Sequence, residues 1–299
     1  SGGDYTHPDL EANTWINTAE LNGVEDYDDD GNGYVDDIRG WDFINLDNAP
    51  LDDNMHGTHV AGIVGAVGNN GIGIAGAAWN VKLMHIKVFQ STGVGSSITI
   101  AEGVEYAYMN GATILNMSFG SYAESFTLKL ALENAYNTSI LVAAAGNDKI
   151  CLGPRPPCLI YARHFPAAYS FVLGVEDSAG EYDNYDADGP TFSNYFDLLN
   201  YELKAPGSGI TSTIPGGGYA PLTGTSMATP LVAGGLALYN QQNPDDSNEI
   251  IFGTMINSLS PAVDFLNAIS VDPNPDLRAV NYTARDSING QNANGYWEP

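Results

Sequence analysis

Basic residues are scarce in this chain of 299 residues. Only 10 Lys and Arg face 36 Asp and Glu, so the formal net charge is −26. Such a surface repels phosphate backbones, which argues against a nucleic-acid partner. No apolar run reaches the roughly 18 residues that a membrane-spanning helix needs, so the sequence predicts no membrane span. The acidity suits a protein that binds hard cations or works in salt water, and solubility alone is the alternative.

Cysteine is equally rare, with Cys151 and Cys158 as the two residues of this type. Two thiols cannot complete a tetrahedral zinc site, and their spacing is not that of a Cys-x-x-Cys redox pair. The Gly and Pro residues between them allow a small disulfide-closed loop if the protein is secreted. Two free thiols are the alternative.

Hydrophobic residues make up 43% of the chain, enough for a sizeable core. From His56 onward, apolar stretches of strand length alternate with stretches of helical periodicity. The pattern predicts strands at Val81–Phe89, Thr113–Phe119, Ser139–Ala145, Phe171–Val175 and Leu203–Ala205, and helices at His56–Val67, Ser97–Asn110, Ser125–Asn137, Thr225–Asn243 and Ser247–Ser258. This alternation indicates an α/β fold with a mainly parallel sheet, in which ligands bind at the carboxyl ends of strands.

One segment, GTSMATP, places Ser226 between a glycine turn and a long apolar helix. The hydroxyl and the N–H of Ser226 are then expected at a helix N-terminus, where the dipole favours developing negative charge. Pro230 is expected in the first turn, where N–H groups have no intrahelical partner. The alternative is that Ser226 only caps a buried helix.

A second segment, HGTHVAG, begins with His56 at the mouth of a predicted buried helix. A histidine in this place can act as the general base for a serine. Zinc binding by His56 and His59 is a rival hypothesis. The zinc-protease helix needs His-Glu-x-x-His, whereas here the pair is one residue too close and Gly57 takes the second position. His59 is instead predicted to be a hydrogen-bonded core histidine.

A third segment, AAAGN, ends an apolar strand with Gly146 and Asn147. The side-chain amide of Asn147 can donate to an oxyanion, and the small residues beside it leave room for a substrate side chain. A turn Asn after a strand is the common alternative.

Taken together, HGTHVAG, AAAGN and GTSMATP, in the order His, Asn, Ser, resemble the subtilisin-like serine proteases, the subtilases. The likeness extends to SGGDYTHPDL, HIKVFQSTGVGSS, NMSFG and LKAPGSGITSTIPGGGYAPL, and it covers residues 1–258. It implies a three-layer, doubly wound α/β catalytic domain over 1–258, with a mainly parallel sheet and helices on both faces. It also implies a monomeric domain in a secreted, extracellular protein. Residues 259–299 look like a linker or the start of a C-terminal β-sandwich.

The resemblance assigns His56 as the general base, Ser226 as the nucleophile, and Asn147 with the N–H of Ser226 as the oxyanion hole. The substrate is then an extended polypeptide that pairs with two edge segments by strand addition. The implied substrate-binding residues are Gly93, Val94 and Gly95 on one edge, Ser118, Phe119 and Gly120 on the other, and Ala145 and Gly146 in the pocket for the residue before the cut.

The family's triad also contains an Asp, in an Asp-Ser/Thr-Gly segment that ends a buried strand. Because the chain opens at Ser1-Gly2, we expect this Asp immediately upstream of Ser1, and neither Asp4 nor Asp9 replaces it. Without the carboxylate, the imidazole tautomer is not fixed and the imidazolium is not stabilised. We therefore expect protease function for the parent protein and little or no activity for residues 1–299 alone.

The acidic stretch that starts at Asp28 follows the first nine positions of an EF-hand loop. Arg39 replaces the bidentate Glu of position 12, so Asp26 or Asp37 would complete the ligand set. The predicted Ca²⁺ ligands are Asp28, Asp30, Asn32, the carbonyl of Tyr34, and Asp36. Seven Asp residues between positions 26 and 42 would repel one another without a cation. A solvated acidic loop is the alternative.

Two further Ca²⁺ sites follow from the resemblance. The family's tight site corresponds to the side chains of Asp9 and Asn70 and to the carbonyls of Val67, Ile72 and Ile74. A weaker candidate consists of Asp42, Asn45 and Asp47. Calcium affinities of extracellular modules suit a secreted protein.

Two rival functions stay open at the level of sequence. One is a catalytically inactive subtilase-like domain that binds peptides, and an Asp before Ser1 would argue against it. The other is a calcium-dependent structural or adhesive module. Such a module needs the acidic loop but has no use for His56, Asn147 and Ser226 together.

Overall fold

The structure, a computed structural model, describes residues 1–148, 163–178 and 203–258. Cys151, Cys158 and the predicted linker or β-sandwich at 259–299 lie outside these residues. The chain divides into two compact units. The first comprises Ser1–Thr113, Ser125–Ala135 and Thr211–Pro221, and the second comprises the described parts of Ile114–Glu124, Tyr136–Ile210 and Leu222–Pro299.

Helices and strands alternate along most of the chain. After a 3₁₀ turn at Glu11–Asn13, the elements in chain order are α1 (Thr18–Leu21), β1 (Gly40–Asp42), α2 (His56–Gly65), β2 (His85–Lys87), α3 (Ser97–Met109), β3 (Ile114–Met117), α4 (Phe126–Ala135), β4 (Ile140–Ala144), β5 (Leu173–Asp177), β6 (Leu203–Ala205), β7 (Ile210–Ile214), β8 (Gly218–Leu222), α5 (Thr225–Gln242) and α6 (Asn248–Ser258).

The first unit is built around α2 and a short parallel pair of strands. Strands β1 and β2 pair with Trp41 opposite Ile86, α3 packs against α4 and contacts β2, and β7 pairs with β8. Gly62 of α2 lies so close to β7 that an added Cβ would be 2.2 Å from Thr213 Oγ1. This small residue therefore lets the helix and the strand meet, and an apolar cluster completes the core with Leu10, Ala61, Ala66 and Leu83.

The second unit contains a four-stranded parallel sheet in the order β3-β4-β5-β6. Every residue of β4 and β5 is buried, as expected for strands covered on both faces. Helix α5 packs against all four strands. Its side chains Val232, Leu236 and Tyr239 are fully buried, and removing such side chains from water is the main stabilising term of the unit.

The predicted α/β fold with a mainly parallel sheet is confirmed, and each predicted helix and strand overlaps an observed one. Strands β1, β7 and β8 were not predicted. β1 has only three residues next to an Asp-rich loop, β7 has three consecutive polar residues at its centre, and β8 contains Gly218 and Pro221. None of the three therefore carries an apolar run of strand length. No helix in the described part of the chain is long and apolar enough to cross a membrane.

Candidate active site

Ser226 is the second residue of α5 and half-buried. The helix N-cap is Gly224, whose φ of 151° is rarely adopted by residues with a side chain. Near a helix N-terminus the backbone N–H groups have no intrahelical acceptor. The N–H of Ser226 and the positive end of the helix dipole can therefore stabilise a negative charge that develops at this end of α5.

Pro230 lies in the second turn of α5, not in the first as the sequence predicted, because the helix begins at Thr225. At the sixth position, proline removes the N–H that would bond to the carbonyl of Ser226, four residues earlier. The hydroxyl of Ser118 donates to this carbonyl instead, at 2.9 Å. Ser226 Oγ in turn donates to the carbonyl of Ser118 at 3.2 Å.

Asn147 stands three residues after β4 and is held in one orientation by α5. Its Oδ1 accepts hydrogen bonds from both the N–H and the hydroxyl of Thr225, each at 3.0 Å. Gly146 N–H donates to the same hydroxyl at 3.2 Å. With Oδ1 engaged by two donors, Nδ2 is the end of the amide that is available to donate to a ligand. The structure thus brings Asn147, Thr225 and Ser226 together within the second unit.

Thr225 was not predicted from the sequence as a site residue, although it is fully buried and orients Asn147. A signal was present, because a hydroxyl residue directly precedes Ser226 at the predicted helix start. The partner of this hydroxyl lies 78 residues away in sequence, so no local pattern identifies it.

His56 lies in the first unit, as the first residue of α2. The preceding residue, Met55, has a left-handed φ of 86°. Asp52 caps the helix, since its Oδ2 accepts from the N–H of Thr58 at 2.8 Å and from its hydroxyl at 2.6 Å. Ser1 Oγ accepts from Gly57 N–H at 2.9 Å.

Burial lowers the pKa of His56 to about 4. The imidazole is therefore neutral near neutral pH, which is the form that a general base needs. His59 is buried, and its Nε2 lies 3.0 Å from the carbonyl of Ala220. It is a hydrogen-bonded core residue, as the sequence predicted.

The expected substrate-binding residues fall into two groups. Gly93, Val94 and Gly95 belong to a turn of the first unit, in which the N–H of Gln90 donates to the carbonyl of Val94 at 2.9 Å. The second group follows the ends of β3 and β4 in the second unit, where Met117 is opposite Ala143. It contains Ser118, Phe119, Gly120, Ala145 and Gly146, which share the carboxyl edge of the sheet with Asn147.

An acidic cluster joins Glu20, Asp30 and Asp37, each of which contributes one carboxylate oxygen, and these three oxygens lie within 4.8 Å of one another. Glu20 and Asp37 are buried, whereas Asp30 is exposed. Asn17 Nδ2 donates to Asp30 at 2.8 Å and to Asp37 at 2.7 Å. Burial raises the pKa of Asp37. Three convergent carboxylates are the donors that a hard cation prefers.

The other residues of the EF-hand-like loop bind the loop's own backbone. Asp28 accepts from the N–H groups of Gly31 and Gly33, each at 2.8 Å, and Asp36 accepts from Asp26 N–H at 2.9 Å. Asn32 Oδ1 accepts from the N–H of Tyr34 at 2.8 Å. Of the predicted ligands, Asp30 thus lies in the acidic cluster, as does Asp37, one of the two residues offered to complete the set. Glu20 was missed because a single acidic residue on a four-residue helix carries no sequence signal.

The residues of the family's tight calcium site also meet in the first unit. Asp9 Oδ1 accepts from Asn70 Nδ2 at 2.7 Å, and its Oδ2 accepts from Ile74 N–H at 2.9 Å and from the Tyr219 hydroxyl at 2.8 Å. The loop backbone adds bonds from the N–H of Val67 to the Asp9 carbonyl and from the N–H of Ile72 to Asn70 Oδ1. Donors occupy both carboxylate oxygens, so this group fits Ca²⁺ only after the Asn70 amide turns its oxygen inward.

The third candidate site forms a tight turn. Asp42 is buried and accepts from the N–H groups of Ile44 at 2.7 Å and Asn45 at 3.0 Å, and from Asn45 Nδ2 at 2.8 Å. Asp47 accepts from Ala49 N–H at 3.0 Å. These side chains satisfy the turn's own donors, so their geometry is explained without a cation.

Known proteins are similar to this chain over nearly its whole length. Residues 1–291 match the model of the Subtilase family. Subtilisin-like protease 1 of Plasmodium vivax is 33% identical over 299 aligned positions, which cover 97% of this chain and 44% of that protein. Thermitase of Thermoactinomyces vulgaris is 39% identical over 212 positions, covering 71% of this chain and 70% of that protein.

A third relative, Alkaline elastase YaB of Bacillus sp. (strain YaB), is 43% identical over 197 positions that cover 66% of this chain and 48% of that protein. The chain spans less than half the length of the Plasmodium relative.

Proposed function

The chain belongs to the subtilase family, and we propose that it is the catalytic domain of a secreted, calcium-stabilised serine endopeptidase. The observation that carries the proposal is the orientation of Asn147. Its Oδ1 is held by Thr225, next to Ser226 at the start of α5, and its Nδ2 is therefore free to meet an oxyanion.

In the proposed reaction, Ser226 Oγ attacks the carbonyl carbon of a peptide bond in an extended polypeptide. His56 takes the hydroxyl proton and then delivers it to the leaving amine as the C–N bond breaks. The oxyanion accepts hydrogen bonds from Asn147 Nδ2 and from the N–H of Ser226. Water then hydrolyses the acyl-enzyme and restores the serine. The small residues Ala145 and Gly146 leave room for a side chain before the cut, with a modest preference for apolar ones.

A triad also needs a carboxylate that orients the histidine. In the described part of the first unit, no hydrogen bond joins His56 to a carboxylate, and the nearby Asp52 is occupied by Thr58. We propose that an Asp directly upstream of Ser1 supplies this group in the parent protein. Residues 1–299 alone are then expected to be almost inactive.

Calcium is proposed to bind first at the cluster of Glu20, Asp30 and Asp37. Bound there, the cation would offset the mutual repulsion of three carboxylates and tie the acidic loop to α1. Asp9 with Asn70 forms the second proposed site. Extracellular calcium concentrations match the affinities of calcium sites in extracellular modules, which supports secretion. We propose further that the domain is monomeric and meets its polypeptide substrates outside the cell.

The test is labelling with a biotinylated fluorophosphonate, followed by peptide mapping, in calcium and in excess chelator. Two proteins are compared: residues 1–299, and a version extended upstream of Ser1 by a strand that ends in Asp. Ser226→Ala in the extended version is the matched control. We expect calcium-dependent labelling at Ser226 in the extended version and weak labelling of residues 1–299.

A second candidate is a peptide-binding domain without catalysis, which is favoured by the engagement of Asp52, the carboxylate near His56, with Thr58. If the extended, folded, calcium-loaded protein is not labelled at Ser226, the endopeptidase proposal is refuted and this second candidate takes its place. Labelling that persists in Ser226→Ala would show that another nucleophile reacts.

A further inference from the structure

We propose that Ser118 is a positioning residue for the nucleophile, because its hydroxyl replaces the backbone donor that Pro230 removes from the carbonyl of Ser226. The inference rests on the proposed function and concerns how α5 presents Ser226. From the sequence, Ser118 was expected only as part of a peptide-binding edge.

Pro230 creates a local defect in α5. In a regular helix, the carbonyl of residue 226 accepts from the N–H of residue 230, but proline has no N–H to donate. Pro230 is buried, so water does not readily supply the missing donor. The carbonyl of the half-buried Ser226 therefore loses its regular partner and needs a replacement.

Ser118 supplies that replacement from the end of β3. Its Oγ lies 2.9 Å from the Ser226 carbonyl oxygen, and only 6% of the residue is exposed. Asn116 Nδ2 donates to the same Oγ at 3.0 Å. Because Asn116 fills the acceptor side of the hydroxyl, the single O–H proton of Ser118 is directed at Ser226.

Ser118 and Ser226 are joined by two hydrogen bonds. The Ser118 hydroxyl holds the Ser226 carbonyl, while Ser226 Oγ donates to the Ser118 carbonyl at 3.2 Å. Ser226 is therefore attached to β3 through both its backbone and its side chain. A displacement of about 1 Å at a reacting oxygen can lower a rate about 100-fold, so loss of the Ser118 hydroxyl is expected to slow the reaction of Ser226 more than binding.

The experiment is a double-variant cycle with Ser118→Ala and Pro230→Ala in the upstream-extended protein. The rate of inactivation (kinact) and the apparent binding constant (KI) of the fluorophosphonate are measured separately. Ser118→Ala is expected to lower kinact by about tenfold with KI changed by less than about twofold. Pro230→Ala restores a backbone N–H at residue 230, so the double variant is expected to recover kinact to within about threefold of wild type.

Ser121→Ala is the matched control. It removes a hydroxyl from the same segment, but that hydroxyl accepts from Ala123 N–H at 3.1 Å. It is expected to leave kinact unchanged. The melting temperatures of all variants are compared, because a general loss of packing would lower stability without rescue by Pro230→Ala.

Two results overturn the inference: an unchanged kinact in Ser118→Ala, or a double variant as slow as Ser118→Ala alone. If the wild-type extended protein is not labelled, the proposed function fails, and amide hydrogen exchange over residues 225–230 decides this inference separately. Faster exchange in Ser118→Ala that the double variant reverses supports the inference, and exchange that is unchanged or not reversed overturns it.

Discussion

Replacing His85 by leucine should make the protein more resistant to mild acid. His85 lies on β2 and is 5% exposed. Its imidazole is packed so tightly against Gly3 that an added Cβ there would lie 2.1 Å from Nδ1. Burial lowers the pKa of His85 to about 4, from 6.5 for an exposed histidine. The unfolded chain therefore binds a proton between these pH values that the folded chain does not bind.

This difference in bound protons determines the sign and the size of the change in unfolding free energy with pH. The free energy of unfolding falls as the pH drops from about 6.5 to about 4, because protonation favours the unfolded state. Between about pH 7 and pH 5, one histidine with these two pKa values removes about 2 kcal/mol. The pKa values of Asp4, Asp9 and Asp52 are lowered, so these carboxylates weaken the fold only at lower pH, below their ordinary range near 3.8.

Denaturant unfolding at constant calcium concentration measures how the free energy of unfolding depends on pH. His85→Leu should reduce the loss of unfolding free energy between about pH 7 and pH 5 by about 2 kcal/mol relative to wild type. Wild type and His85→Leu with the same pH dependence would refute the reasoning. The result bears on function, since His85 packs against the N-terminal segment whose Ser1 contacts α2 beside His56.

Three other substitutions test the site. Thr225→Val removes the hydroxyl between Asn147 and Gly146 and should cost about 2 kcal/mol in chemical unfolding, with slower labelling of Ser226; unchanged labelling would show that Asn147 needs no such support. Glu20→Gln should reduce the rise in melting temperature on adding calcium, because one carboxylate leaves the acidic cluster; an unaltered rise would place the ion elsewhere. Asp177→Ala frees the Gly207 N–H that Asp177 Oδ1 holds at 2.8 Å, and Gly207 in turn accepts from Gly224, the N-cap of α5. It should slow labelling of Ser226 more than the neighbouring Glu176→Gln, which breaks an ion pair with Lys204; equal effects would argue against a contribution of the Asp177–Gly207–Gly224 contacts to the position of Ser226.

Features that depend on neighbouring residues could be predicted from the sequence, whereas contacts between residues far apart in the chain could not. The apolar run of β4 and the long apolar helix α5 are visible in sequence, since each depends on a pattern within five to eighteen residues. The place of Ser226 at a helix start follows from the glycine and the apolar run around it. The prediction that Pro230 lies in the first turn was wrong although the predicted start of α5 at Thr225 was correct, because the sixth residue of a helix already lies in its second turn.

The partners of these residues depended on the tertiary structure. Thr225 meets Asn147 across 78 residues of sequence, and Ser118 meets Ser226 across 108. Glu20 joins the acidic loop because α1 brings it beside Asp30. The sequence by itself determined the longer helices, the buried parallel strands and the residue types at their ends, because these follow from short-range periodicity. Only the packing of distant segments decided which oxygen each donor reaches, since hydrogen bonds and ion sites depend on positions in space that no local pattern encodes.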